Sequence, residues 1–214
     1  MNGRFADRTD AGRALAEALV DYRGHPDVVV LGLPRGGVPV AKVVADAIGA
    51  PLDVVVVRKV GTPGQAELAM GAIASIAGTI VTIKNASILR QLADSDAAFE
   101  RVAARERVEL ERRQREYRAD RGPLDVAGKT VLVVDDGIAT GATMKAAVLA
   151  LKKARADRIV VAVPVGPADT CEELESLVDR VVCVWLPDPF WAVWQGYVDF
   201  SQTSDDEVRR LLAG

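Results

Sequence analysis

Two adjacent carboxylates, Asp135 and Asp136 (the acid pair), directly follow a short apolar run and precede a loop of small residues. The run from Thr130 to Val134 has the length and the Val/Leu content of a strand that is buried on both faces. The segment after the loop, Ala146 to Ala156, is rich in the strong helix formers Ala, Leu and Lys. A strand, a loop and a helix in this order direct backbone N–H groups and the positive end of the helix dipole towards a ligand above the loop. The unit therefore predicts a phosphate site beside two carboxylates, which suit hydroxyl groups or a bound cation.

Two further segments with anion-binding chemistry follow other predicted strands. The turn Leu33-Pro-Arg-Gly-Gly37 combines glycines, which let the backbone approach an anion closely, with Arg35, whose guanidinium matches a phosphate group. Arg58 and Lys59 close an all-valine strand, and because side chains alternate along a strand, only one of the two is expected to face a ligand. A plain strand-to-helix turn and a solvated pair of cations are the alternatives. Ligands of open parallel sheets bind beyond the carboxyl ends of the strands, so we expect these segments to converge with the acid pair.

Short apolar runs alternate with helical patterns along the chain, which predicts an α/β fold. We expect a parallel, doubly wound (Rossmann-like) sheet flanked by helices, with right-handed crossovers. The predicted strands cover residues 27–33, 52–57, 130–134, 158–165 and 180–186, and the predicted helices cover residues 10–22, 38–48, 87–121, 146–156 and 169–177, with a short last helix from Ser204. Thr9 or Asp10 is the expected N-cap of the first helix.

The connections and the ends carry the remaining expectations for the fold. Residues 61–67 contain Gly, Pro and Gln and are expected to be mobile. Residues 68–83 are expected to form a hairpin around Ala77-Gly78 that stands off the main sheet. The 214 residues are interpreted as one domain, 1–214, with a core over about 25–186, a helical insertion over about 87–121 and a small C-terminal hood over about 187–214.

Composition excludes several classes of function. With 30 Asp and Glu against 27 Lys and Arg, the chain is mildly acidic, which argues against general nucleic-acid binding. Cys171 and Cys183 lack the paired spacing of a zinc site and are expected to be buried free thiols of a reducing compartment. The lone His25 is expected at the surface. No apolar run has the length of a membrane span, and no signal region opens the chain, so a cytoplasmic protein without a membrane partner is expected.

The string Val133-Val-Asp-Asp-Gly-Ile-Ala-Thr-Gly-Ala-Thr143 resembles the phosphoribosyl-pyrophosphate (PRPP) signature of the type I phosphoribosyltransferases. The resemblance implies that Asp135 and Asp136 bind the two ribose hydroxyls, directly or through Mg²⁺. It implies that a loop holds the 5-phosphate of PRPP, and the residues of this loop are Gly137, Ile138, Ala139, Thr140, Gly141, Ala142 and Thr143. The Arg35-Gly36-Gly37 turn resembles the pyrophosphate loop of the family, which often contains a cis peptide bond. Arg58 and Lys59 are further pyrophosphate contacts by the same resemblance.

Two more segments match the family in their position along the chain. Residues 62–71 match the flexible loop that closes over bound PRPP, and Glu67 in this loop is a candidate proton-transfer group. An exposed glutamate without a catalytic role is the alternative. The tail Trp185 to Phe200 is similar to the part of the hypoxanthine-guanine enzymes that brings an aromatic ring over the purine, so Phe190, Trp191 and Leu186 are candidate acceptor contacts. The alternative is a cap that packs against the sheet, above all for Trp194, Tyr197 and Phe200.

Two departures from the family pattern leave the acceptor open. Ala139 stands where the hypoxanthine-guanine enzymes carry the Asp proposed as the base, and the strand Ile159 to Val165 lacks the lysine that reads a 6-oxo group. The resemblance therefore implies an Mg²⁺-dependent, homodimeric transferase that moves 5-phosphoribosyl from PRPP to a nucleobase-like nitrogen acceptor and releases pyrophosphate. A non-catalytic regulator that senses PRPP or a nucleotide is the alternative. A third alternative is a phosphohydrolase or another nucleotide-binding α/β protein, although no His-based pair is present to activate a nucleophile.

Overall fold

The computed structural model describes residues 3–63, 65–76, 78–91, 95–118, 122 and 124–213, with the side chains at 65–68 and 95 left undescribed. The strands are β1 (Val28–Gly32), β2 (Leu52–Thr62), β3 (Gln65–Ile76), β4 (Thr79–Lys84), β5 (Thr130–Val134), β6 (Arg158–Val165) and β7 (Arg180–Trp185). The helices are α1 (Arg8–Ala18), α2 (Gly37–Ile48), α3 (Ala86–Leu89), α4 (Ser95–Arg118), α5 (Ala142–Lys153), α6 (Ala168–Glu175) and α7 (Asp205–Ala213), with 3₁₀ turns at Val20–Tyr22 and Val193–Gly196.

All seven strands belong to one sheet, in the order β4-β3-β2-β1-β5-β6-β7. The strands β2, β1, β5, β6 and β7 run parallel to one another, while β3 is antiparallel to both β2 and β4. The chain goes outward from β1 to one edge of the sheet and then returns to build the other half. The predicted doubly wound, mostly parallel sheet flanked by helices is confirmed, and its order reverses between β1 and β5, where such folds bind ligands.

The central strands are buried on both faces, because helices cover both sides of the sheet. Leu132 and Val134 of β5 belong to the core that contains residues of α1, α2, α4 and α7. Val131 and Val133 belong to the core on the other face, with residues of α5. This alternation follows the period of two in a strand, and burying each Val or Leu side chain contributes about 1.5–3 kcal/mol. The sheet is therefore a rigid support for the loops that follow its strands.

The hairpin predicted over residues 68–83 forms, but the prediction that it stands off the main sheet is wrong. β2 continues past Val57 to Thr62. On the side away from β1 it pairs with β3, from Val55 opposite Ile76 to Thr62 opposite Gln65. The hairpin thus extends the main sheet as its edge. Residues 61–62 and 65–67, predicted to lie in a mobile loop, belong to strands. Gly64 and the predicted turn residue Ala77 lie outside the described residues.

Several helix boundaries differ from the prediction for local reasons. The N-cap of α1 is Asp7, whose carboxylate accepts the backbone N–H of Asp10 at 2.8 Å, so the prediction of Thr9 or Asp10 is wrong. α5 begins at Ala142, because Gly141 in the left-handed region (φ 68°) starts the helix there. The helical stretch predicted over 87–121 contains the separate helices α3 and α4, and α4 packs on β2 and β3. In the described part of the chain, no helix is long and apolar enough to cross a membrane.

Candidate active site

The acid pair lies at the carboxyl end of β5, in the middle of the sheet. The N–H of Asp136 donates to the Asp135 Oδ1 atom at 2.9 Å, which fixes the Asp135 side chain beside the backbone. Burial, followed by the negative charge of Asp136, raises the pKa of Asp135 well above its usual range. Burial also raises the pKa of Asp136, and the Arg8 guanidinium opposes that rise. Positive charge or hydroxyl donors from a ligand would stabilise the ionised pair.

The Arg35-Gly36-Gly37 turn packs directly onto the acid pair. A Cβ atom at Gly36 would lie 1.9 Å from Asp136 Oδ2, and one at Gly37 would lie 2.7 Å from the carbonyl oxygen of Val134. Leu33 N–H donates to that carbonyl at 2.9 Å, which joins the turn to β5. The Pro34–Arg35 peptide bond is cis, as the resemblance implies. Two motifs that are far apart in the sequence therefore meet, and glycine is required at their contact.

The loop after the acid pair is held by β6 and α6 and leads into the start of α5. Ile138 N–H donates to the carbonyl of Val165 at 2.9 Å, and the Thr170 hydroxyl donates to the carbonyl of Ala139 at 3.0 Å, so β6 and α6 hold the loop from behind. Of the other loop positions, Thr140, Ala142 and Thr143 are exposed, whereas Gly137 and Gly141 are buried. Ala142 begins α5, where the first-turn N–H groups have no partner within the helix and the helix dipole is positive. The loop thus leads directly into a helix start, which is the arrangement that the sequence predicted for a phosphate site.

Arg58 and Lys59 point to opposite faces of β2, as the alternation of a strand requires. The Arg58 guanidinium faces α4 and binds the Glu106 carboxylate, with Nε at 2.7 Å and Nη2 at 2.6 Å. Lys59 lines a cavity of about 530 Å³ that the β2–β4 strands form with the first turn of α5, and Thr143 lines the same cavity. Of the two cations, Lys59 is on the side of the phosphate loop.

Arg8 is a site residue that the sequence analysis missed. Its Nε atom lies 2.8 Å from Asp136 Oδ2, and its Nη1 atom donates to the carbonyl of Ser201 at 2.6 Å. A signal was present, because Arg8 is three and seven residues before Ala11 and Leu15, which are buried on one face of α1. An arginine on the buried face of an amphipathic helix requires a partner, but the sequence does not show which one.

The C-terminal tail also reaches the acid pair. The Tyr197 hydroxyl donates to the backbone carbonyl of Asp136, and Tyr197 is 2% exposed. A Cβ atom at Gly137 would lie 2.5 Å from Val193 Cγ1, so the 3₁₀ turn of the tail sits against the residue after the pair. Burial, followed by the charge of Asp136, raises the pKa of the Tyr197 phenol, so this group stays a neutral donor. Tyr197 was expected only as cap packing, and the structure gives it this contact as well.

The candidate acceptor residues lie farther along the same tail. Phe190 is half-buried and packs against the small core that contains Val165 and Tyr197. Leu186 and Trp191 are exposed, Trp191 to 74%, and offer apolar surface to solvent. Trp194 is 54% exposed, so the alternative of a packed cap is wrong for this residue. Glu67 lies on β3, but its side chain is outside the described residues, and its proton-transfer role stays a prediction.

The acid pair suits an Mg²⁺ ion only if most ligands of the ion come from outside the protein. Among the described residues there is no group of three or more His, Cys, Asp or Glu side chains that could hold a metal. Asp135 and Asp136 supply oxygen ligands, but one oxygen of Asp136 binds Arg8 and one of Asp135 accepts an N–H. The pair therefore suits a magnesium ion that brings its own waters and diphosphate oxygens, and it does not suit a cage made of protein ligands alone.

The fold and the site place the chain among doubly wound α/β proteins, with a glycine turn, a loop and two carboxylates together at the carboxyl edge of the sheet. The family is also clear, because a family model of the phosphoribosyl transferase domain matches residues 5–201. The chain belongs to this family. Cys171 and Cys183 are free thiols as predicted, but only Cys171 is buried and Cys183 is partly exposed. His25 is exposed, as predicted.

The chain is similar to two kinds of relative. The chain is 48% identical over 208 residues to a candidate phosphoribosyl transferase found in two strains of Mycobacterium tuberculosis, which covers 97% of this chain and 46% of that protein. It spans about half the length of these curated relatives. The chain is also 43% identical in sequence to the protein TT1426 from Thermus thermophilus. The crystal structure of that protein matches this chain with a TM-score of 0.86, over 98% of both chains.

Proposed function

We propose that this chain transfers the 5-phosphoribosyl group from PRPP to a nucleobase-like nitrogen acceptor and releases pyrophosphate. The observation that carries the proposal is the contact between the Gly36 turn and the acid pair, with the phosphate loop starting at the next residue. A glycine turn suits a diphosphate, a carboxylate pair suits the ribose diol, and a helix start suits a terminal phosphate. PRPP carries these three groups on one sugar.

Each part of the donor has a matching group in the site. The backbone of residues 137–143 and the hydroxyls of Thr140 and Thr143 would hold the 5-phosphate. Asp135 and Asp136 would accept the hydroxyls of the ribose. Arg35 and the backbone of Gly36 and Gly37 would contact the diphosphate.

The second cationic contact to the diphosphate is assigned to Lys59. Contact by Arg58 would require its ion pair with Glu106 to open, whereas Lys59 lies on the side of the phosphate loop. A bound magnesium ion would neutralise charge on the leaving diphosphate, and Asp135 would hold the ion through water, since an oxygen of Asp136 binds Arg8.

In the proposed reaction, the acceptor nitrogen forms a bond to C1 of the ribose as the bond from C1 to the diphosphate oxygen breaks. Positive charge develops on the sugar ring, next to the two carboxylates of the acid pair. These carboxylates therefore stabilise the transition state by electrostatics and by fixing the diol, without taking a proton. If the acceptor loses a proton in this step, Glu67 is the proposed recipient.

The proposed acceptor site is the tail, where Phe190 and Trp191 offer ring faces and Leu186 offers apolar surface. Ala139 has no proton-accepting group, so a mechanism that needs a base at this loop position is not assigned to this chain. A homodimer in solution is part of the proposal, and light scattering on the purified chain tests it.

The experiment that tests the function supplies PRPP and Mg²⁺ with a panel of nucleobases, pyridine acids and amines, and measures pyrophosphate release. We expect release with one acceptor class and a loss of at least about 100-fold in Asp136→Asn, because the diol contact helps set the geometry at C1. Asp157→Asn is the matched control, since Asp157 is exposed and precedes β6. It therefore lies at the amino ends of the parallel strands, whereas the acid pair lies at their carboxyl ends. PRPP binding without release for any acceptor would replace the transferase with a PRPP-sensing regulator.

A further inference from the structure

The guanidinium of Arg8 places a positive charge beside the acid pair. Arg8 Nε lies 2.8 Å from Asp136 Oδ2, and the two side chains are only 13% and 14% exposed. A charge-assisted hydrogen bond of this length in a partly buried setting is stronger than an exposed ion pair. Arg8 is 128 residues from Asp136 along the chain, so the contact exists only in the folded protein.

The guanidinium is held from several sides. Its Nη1 atom donates to the carbonyl of Ser201 at 2.6 Å, and its Cζ atom lies 4.3 Å from the centroid of the Phe200 ring. The backbone beside it is fixed as well, because Phe5 N–H donates to the carbonyl of Gly196 at 2.8 Å and Val198 N–H donates to the carbonyl of Phe5 at 2.8 Å. Residues 5–8 and the tail therefore form one unit (the Arg8 unit) that holds Arg8 against the acid pair.

Arg8 fixes the orientation of the Asp136 carboxylate. Oδ2 is enclosed between Arg8 Nε and Gly36, where a Cβ atom would lie only 1.9 Å away. The backbone carbonyl of Asp136 accepts the Tyr197 hydroxyl, which holds the main chain at the same residue. The side chain and the backbone carbonyl of Asp136 thus both bind to the Arg8 unit, which is formed by residues 5–8 and the tail.

The charge of the site depends on the same contact. Two adjacent carboxylates in a buried position repel each other and favour protonation. With Arg8 included, the three side chains carry a formal net charge of −1 when both carboxylates are ionised, instead of −2. A ligand with phosphate groups therefore meets less repulsion, and the carboxylates remain acceptors for hydroxyl groups.

We infer that Arg8 is a positioning residue of the proposed site: it holds the Asp136 carboxylate in place and supplies the positive charge that lets the acid pair bind a ribose diol without a metal ion. The inference rests on the proposed function, because the diol belongs to the proposed donor. In this arrangement magnesium serves the diphosphate, and Arg8 serves the acid pair.

The test uses ribose 5-phosphate, which has the phosphate and the diol but no diphosphate, and measures its binding by calorimetry in EDTA. We expect the wild-type chain to bind and Arg8→Gln to bind about 10-fold more weakly, the effect of losing one charge-assisted hydrogen bond. Arg8→Lys should fall between them, because it keeps the charge and loses the planar fork that reaches Ser201. Arg13→Gln is the matched control, since Arg13 is an exposed arginine of the same helix. Thermal unfolding of each variant checks that the fold is retained.

A double-mutant cycle separates positioning from a general structural effect. If Arg8 acts through Asp136, Arg8→Gln should add little once Asp136→Asn is present. Additive losses would overturn the inference, and so would unchanged or tighter binding in Arg8→Gln, the latter because Arg8 would then compete with the diol. No wild-type binding in EDTA would overturn it too. If these results appear as expected but no acceptor releases pyrophosphate from PRPP, the transferase proposal fails and the role of Arg8 stands.

Discussion

The candidate site and the lateral edge of the sheet differ in the contacts that a substitution would disturb. At the site, beside the ion pair of Arg8 with Asp136, backbone and carboxylate atoms approach so closely that Gly36 and Gly37 have no room for a side chain. The edge region, which consists of β2, β3, β4 and α4 (the α4 region), is joined by apolar packing, which includes Phe99 and Leu110 of α4, and by ion pairs between side chains. These pairs include Arg58 with Glu106, Lys84 with Asp96 and the buried pair of Arg118 with Asp53.

This difference teaches where a substitution should act. At the site, a small change in shape displaces a carboxylate that is proposed to face the ligand, so we expect activity to be lost before stability. In the α4 region, a lost partner leaves a charge beside the sheet, and stability is lost while the site keeps its geometry. The cost there depends on burial, since exposed pairs contribute little and broken buried pairs cost much.

The largest effect is expected at the glycine contact. Gly36→Ala would place a methyl group 1.9 Å from Asp136 Oδ2, so the turn or the carboxylate must move. We expect PRPP turnover to fall by about 100-fold or more, because displacements near 1 Å have effects of that size. Steady-state kinetics with the acceptor found in the panel measure this. Gly122→Ala is the control, since a Cβ atom there meets nothing within 4 Å. Wild-type turnover in Gly36→Ala would show that the contact is not required.

The second effect is expected in the α4 region, and it concerns stability. Asp53 and Arg118 are 2% and 6% exposed, with Arg118 Nη2 at 2.7 Å from Asp53 Oδ2. Arg118→Ala leaves the Asp53 carboxylate buried without this partner, which should reduce the free energy of unfolding by about 3–5 kcal/mol. Denaturant unfolding measures the loss, and Arg115→Ala on the exposed side of α4 is the control.

The same variant separates the two regions. Turnover per folded molecule should be unchanged in Arg118→Ala, because the pair is remote from the acid pair in the fold. The double variant Asp53→Leu, Arg118→Met should recover much of the stability, since an apolar pair of similar volume needs no compensation of charge. A loss of turnover without a loss of stability would contradict the comparison.

The third effect is the reverse, a gain of stability at the site. Burial and the charge of Asp136 raise the pKa of Asp135, so the folded chain binds that proton more tightly than the unfolded chain. The ionised pair therefore destabilises the fold, and this cost appears as the pH rises from the ordinary carboxyl pKa through the raised one. Asp135→Asn should stabilise the chain at neutral pH by on the order of 1 kcal/mol and have little effect near pH 4.

Thermal unfolding across that pH range tests the prediction, with Asp157→Asn as the exposed control. Asparagine keeps an oxygen that can accept the N–H of Asp136, so the change isolates the charge. Equal effects of Asp135→Asn on stability at both pH values would mean that ionisation of Asp135 does not destabilise the fold. The expected loss of PRPP turnover in the same variant would show stability exchanged for function.

The sequence was most informative where the signal is local. Val133 to Thr143 predicted the strand, the acid pair and the loop, and alternation along β2 predicted that Arg58 and Lys59 diverge. Periodicity could not show that β2 continues to Thr62 and recruits the hairpin into the sheet, because strand length there is set by pairing with β3. The same limit applies to the site. The partner of Arg8 is 128 residues away in the sequence, and the residues next to Arg8 do not indicate which residue that partner is.

The smallest effect is expected at Arg58, and it compares the two regions at neighbouring residues. Arg58 is paired with Glu106 on the α4 side and is 31% exposed, so Arg58→Gln should cost less than about 1 kcal/mol of stability. It should leave the KM for PRPP unchanged, because the guanidinium faces away from the phosphate loop. Lys59→Gln, one residue later on the other face, should raise that KM several-fold through loss of a cation near the diphosphate. If Arg58→Gln raises the KM as much as Lys59→Gln does, the ion pair with Glu106 opens when PRPP binds, and Glu106→Gln should then lower the KM by freeing Arg58.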